Sequence, residues 1–132
     1  MSEEIFHFPG RYRLARDAGE LILTLWLGGS AHRFPLAPRQ GYALLMGRRR
    51  TELLYAIAVA KSDAGEAPDA ELISLCTGGS EAEISALATH WNRDGSVAAV
   101  LAEVLGQPIS PGRWFAPRRR AAKTRKEKAP LC

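Results

Sequence analysis

Residues 41–61 read GYALLMGRRRTELLYAIAVAK, and the fold of the chain turns on what they form. Two apolar runs, Gly41 to Met46 and Glu52 to Lys61, flank Gly47, Arg48, Arg49, Arg50 and Thr51. The segment is either one long helix or a hairpin with three arginines at its tip. The unbroken apolar run Leu53 to Ala60 does not separate these readings, because a buried helix and a buried strand both look like that. Its alanines favour a helix, whereas Tyr55, Ile57 and Val59 recur at period two and favour a strand. Gly47 and the arginine block interrupt any helical stripe, so the hairpin is the reading adopted.

Upstream, Arg11 to Arg16 alternates, with Tyr12 and Leu14 on one face, which is the period of a half-buried strand. Asp17-Ala18-Gly19 forms a turn. Glu20 to Leu27 (ELILTLWL) sets Leu21, Leu23, Leu25 and Leu27 against Ile22, Thr24 and Trp26, so it reads as a central strand covered on both sides. After Gly28-Gly29-Ser30, a strand over Ala31 to Leu36 contains Pro35, which cannot donate to a ladder and pushes that strand to an edge. Downstream, Ser62 to Ala70 is a polar loop, and Glu71 to Cys76 is a short strand or a helical turn. Ser80 and Glu83 have the spacing of a capping box, with Ile84, Leu87, Ala88 and Trp91 following at helical intervals to about Asn92. Asp94 or Ser96 can start a second helix whose stripe Val97, Val100, Leu101, Val104 and Leu105 ends at Gly106. The expected architecture is α+β. A small antiparallel sheet, formed by the N-terminal meander and the hairpin, is covered by two C-terminal helices within a single domain over 1–106.

The chain has 132 residues, of which 46% are hydrophobic and 24% charged, enough for one domain with a real core. Its first residues, MSEEIFHF, are acidic where a secretory signal is basic. The longest apolar run has eight residues against the roughly 20 of a membrane-spanning helix, so a cytoplasmic location is expected. Cys76 and Cys132 are read as free thiols.

The net charge of +4 is unevenly distributed. Gln107 to Cys132 carries eight basic residues and one acidic residue, hence +7, while Met1 to Gly106 carries ten basic and thirteen acidic residues, hence −3. Two prolines and a glycine between Gln107 and Gly112 oppose regular structure. Residues 107–132 therefore read as a linker and a flexible basic arm, PGRWFAPRRRAAKTRKEK at its centre. The candidate contacts are Arg48, Arg49 and Arg50 with Arg113, Trp114, Phe115, Arg118, Arg119, Arg120, Lys123, Arg125, Lys126 and Lys128. Lys and Arg displace counterions from a phosphate backbone and aromatic rings stack on unpaired bases, so DNA or RNA is the expected partner. The alternative is an acidic protein partner, with Trp114 and Phe115 as anchors and the basic residues as a rim. A membrane surface is disfavoured, since the segment has prolines and no extended amphipathic helix.

Catalytic and cofactor chemistry leave no comparable signature. Of the three histidines, His7, His32 and His90, none stands at metal-ligand spacing, although His7 and His32 could meet across the meander with Cys76 as a third ligand. The second of the paired helices, SVAAVLAEVLG, offers one anion and almost no side chain able to read bases. Thr77-Gly78-Gly79-Ser80 lacks the lysine of a phosphate loop and is explained by a turn with a helix cap. Neither a metal nor a cofactor is implied, and the expected function is that of a non-enzymatic binding protein.

Overall fold

The computed structural model describes residues 2–110 together with 114 and 115. Four strands come first: β1 (Ser2–Phe8), β2 (Tyr12–Asp17), β3 (Glu20–Leu27) and β4 (Ser30–Leu36). They pair antiparallel in the order β1-β2-β3-β4. Two connections are two-residue turns with both residues at positive φ, Ala18 (54°) with Gly19 (84°) and Gly28 (58°) with Gly29 (83°). That geometry matches the twist of the strands it joins and costs a glycine nothing, but it strains Ala18. β4 lies at the edge, as Pro35 requires.

β1, the other edge, is absent from the sequence reading. Its register shifts between Glu4 and Phe6, so Ile5 bulges out and the alternation that marks a strand slips by one residue. β3 is central, but only its leucine face is fully covered. Leu21, Leu23, Leu25 and Leu27 are buried with Tyr12, Leu14 and Leu36, whereas Ile22 and Trp26 on the opposite face remain partly exposed and only Thr24 there is buried.

The hairpin expected at 41–61 is a correction: these residues are helical. α1 (Pro38–Met46) and α2 (Arg48–Asp63) meet at the single residue Gly47. The Gly47 amide closes α1 onto the Ala43 carbonyl at 2.8 Å, and the Gly47 carbonyl accepts from the Arg50 amide at 2.8 Å to start α2. The glycine breaks the helical stripe without ending the helical conformation, and it redirects the chain by one joint. α2 then runs through the interior. Every residue from Thr51 to Ala58 is buried, because the sheet lies on one side and the other helices on the rest. A helix enclosed all round has no polar face, and so no period to read.

Three helices complete the layer: α3 (Ala70–Gly78), α4 (Glu81–Trp91) and α5 (Ser96–Leu105). The Asp69 carboxylate caps α3, accepting from the Leu72 amide at 2.8 Å. Ser80 and Glu83 form the expected box, the Ser80 amide donating to Glu83 Oε1 at 2.9 Å and the Glu83 amide to Ser80 Oγ at 3.2 Å. Asp94 accepts from the Ser96 amide at 3.1 Å, and Gly106 ends α5 with φ of 73°. α5 packs on α2, with Val97, Leu101 and Val104 buried in the common core. The architecture is α+β, a four-stranded antiparallel sheet with five helices on its leucine side.

Candidate functional site

The arginine block occupies the first turn of α2, not the exposed tip of a hairpin. Arg48 is 83% exposed, and its Nε donates to Glu52 Oε1 one turn on at 2.9 Å. Arg49 and Arg50 point between helices. Arg49 donates through Nη1 to Glu81 Oε2 at 3.2 Å and through Nη2 to the Trp114 carbonyl at 2.9 Å, with its guanidinium 4.7 Å from the centre of the Trp114 ring. Arg50 donates to the Gly79 carbonyl at 2.9 Å. The helix lacks an acidic residue in its first turn, so the partial positive charge of its free amides adds to that of the arginines.

Glu81 offsets part of this charge. A cleft of about 310 Å³ beside the block is lined by Gly47, Arg49, Arg50, Leu53, Glu81 and Ser85, and an anion entering it would meet the Glu81 carboxylate as well as the two cations. The carboxylate partners escaped the sequence reading for different reasons. Glu52 stands at i+4 from Arg48 and was legible as a helical pair once the helix was accepted. Glu81 is 32 residues from Arg49 and carried no local signal.

Trp114 and Phe115 pack onto the body. Phe115 is 4% exposed and belongs to the core, its carbonyl accepting from Thr89 Oγ1 at 3.0 Å, and Trp114 packs partly buried against that core. The expected boundary at Gly106 is therefore followed by two residues that return to the domain. Phe115 does not offer its ring to a partner while it is packed there, and Trp114 shares its face with Arg49. Arg113, Arg118, Arg119, Arg120, Lys123, Arg125, Lys126 and Lys128 lie outside the described residues.

The remaining sequence candidates separate in space. His7 is on β1 and His32 on β4, the two opposite edges of the sheet, so they do not converge. Cys76 is fully buried on α3, and burial pushes its thiol up to about 12, which leaves it a poor nucleophile. Thr77 and Gly78 end α3, Gly79 and Ser80 connect it to α4, and the Gly79 carbonyl is taken by Arg50. Glu103 on α5 accepts from Arg11 at 2.8 Å, and that hydrogen bond holds its carboxyl below the usual range. Among the described residues no helix is long and apolar enough to cross a membrane. The chain matches no protein-family model, no curated protein and no solved structure.

Proposed function

We propose that this protein is a non-enzymatic binder of nucleic-acid backbone, acting through the basic segment from Arg113 to Lys128 with little sequence specificity. The observation that carries the reading is the clasp of Arg49 on Trp114, a hydrogen bond of 2.9 Å and a stacked guanidinium across 65 residues of chain. It fastens the root of the basic segment to the first turn of α2, so two arginine-rich stretches start from one place. Arg118 follows Phe115 by three residues, at most about 11 Å of chain. Arg48, exposed at that turn, extends the same positive surface. Cations grouped in this way release counterions from a polyphosphate and need no base contacts to do so.

The test compares the full chain with a variant ending at Pro117, which keeps Trp114 and Phe115 in the core and removes seven basic residues. Each is immobilised and offered cell extract with and without nuclease. Nucleic acid recovered on the full chain alone, and lost on nuclease treatment, is the expected result; equal recovery on both overturns the assignment.

A second reading, as a protein adaptor, is favoured by another surface. Tyr42, Leu45 and Met46 are 64%, 49% and 67% exposed and stand at i, i+3 and i+4 on α1. This is the spacing of a helix face that docks on a partner. Tyr42→Ser with Met46→Ser would abolish a protein interaction and leave nucleic-acid affinity unchanged.

A further inference from the structure

On the side of α2 facing β1 is a half-open cavity of about 340 Å³, a volume typical of small-molecule sites. Its walls are mostly aromatic and apolar: Phe6, His7 and Phe8 from β1, Tyr12 from β2, Leu44 and Leu45 from α1. Arg48 lines it too, and at 83% exposure its guanidinium belongs to the rim.

Four lining residues carry polar groups: Tyr12, Arg48, Thr51 and His7, whose Nδ1 lies 3.4 Å from Glu4 Oε1. Tyr12 is 5% exposed, yet among the described residues its hydroxyl has no hydrogen-bond partner, whereas the neighbouring Tyr55 hydroxyl donates to the Trp26 carbonyl at 3.2 Å. A buried hydroxyl without a partner is destabilising, so an unfilled acceptor position is expected beside it. Among the described residues Arg48 is seen to donate through its Nε, to Glu52, and a guanidinium carries five donors. The Thr51 hydroxyl, also in the wall, is taken by the Leu44 carbonyl at 3.1 Å. Burial, reinforced by the Glu52 charge, pushes the Tyr12 phenol up to about 12, so it keeps its proton and remains a donor at neutral pH.

We infer that this cavity is a binding site for a small aromatic carboxylate, with the ring against Phe6, Phe8 and Leu44 and the carboxylate shared between the Tyr12 hydroxyl and Arg48. The two donors differ in their relation to the proposed polyanion surface. Arg48 serves both, but Tyr12, 5% exposed, is part of the cavity wall and lies away from the outer surface that a polymer backbone would follow. The apolar walls set a preference for planar rings, and the two donors set a preference for a charged acceptor over a neutral one. Glu52 is already covered by Arg48, so a ligand carboxylate extends an existing pair and does not face a bare anion.

The test is a titration of the full-length, isotopically labelled protein with benzoate and with 2-naphthoate, followed by amide resonances. At about 10 mM ligand, the range expected for so few atoms, shifts should concentrate at Phe6, Phe8, Tyr12, Leu44 and Arg48. Benzamide, with the same ring and no charge, should bind at least about tenfold more weakly. Tyr12→Phe should keep the native spectrum and weaken the carboxylate about tenfold, and Arg48→Lys, which keeps a cation beside Glu52 but loses the planar fork, should weaken it as well. Absence of shifts at these residues with both carboxylates, equal binding of benzamide, or undiminished affinity in Tyr12→Phe would each overturn the assignment.

Discussion

The sheet and the helix that lies on it bury their side chains in opposite ways. Along β3, four buried leucines alternate with Ile22, Thr24 and Trp26, of which only Thr24 is buried, so the chain carries the period of its structure in its own order. Along α2, eight successive residues are buried and the order carries none. The difference comes from the number of neighbours. An edge-exposed or one-sided element must show solvent a polar face, whereas an element enclosed by a sheet and four helices has no such obligation. The central helix of a small α+β domain is thus the element most readily mistaken for a buried strand.

The largest effect expected from this contrast lies outside both elements, at Phe115. If the residues after Gly106 close the helical layer, Phe115→Ala should lower stability by about 3–5 kcal/mol, measured by urea unfolding. A cost under about 1 kcal/mol would return Phe115 to the arm. Next comes a direct comparison of the two kinds of burial: Leu54→Ala on α2 should cost about 2–5 kcal/mol, well above the cost of Ile22→Ala on the outward face of β3. Similar losses at the two positions would mean that the outward face is covered after all.

Gly41 reports on how closely α1 approaches the sheet. A methyl group there would run into the Leu21 side chain, so Gly41→Ala should destabilise by about 1–3 kcal/mol despite the better helix propensity of alanine. Stabilisation, which propensity alone predicts, would show that α1 can move away. The smallest effect has the opposite sign. Ala18 holds φ of 54° in the turn between β2 and β3, and Ala18→Asn creates the Asn-Gly pair that this turn prefers, for a gain of about 1 kcal/mol in chemical denaturation. An unchanged midpoint would argue that the turn relaxes without cost.

Legibility followed the same division. The meander could be read because Leu21 to Leu27 alternate and the Gly28-Gly29 pair leaves little choice of turn. The end of the helical region could be read because Ser80, Glu83, Asp94 and Gly106 are local signals, each acting within a few residues. β1 escaped because a bulge at Ile5 shifts its period, and α1 and α2 because a single glycine between two apolar runs serves a helical joint as well as a turn. For the candidate sites the contrast is sharper. The charge runs were visible in the sequence, yet that Arg49 and Arg50 are tied to Glu81, Trp114 and Gly79 depends on contacts across 29 to 65 residues. The Tyr12 cavity left no trace, since it joins β2 to β1, α1 and the start of α2, three elements whose structure the sequence disguised.

The most direct test of the proposed role is the salt dependence of binding to a fluorescently labelled duplex, measured by anisotropy on the full chain. Seven basic residues lie between Arg118 and Lys128, and if most of them engage phosphates, log K should fall with log salt at a slope of about −5. The variant ending at Pro117 should lose most of both affinity and slope. A slope near zero, or a slope unchanged by that truncation, would contradict the account.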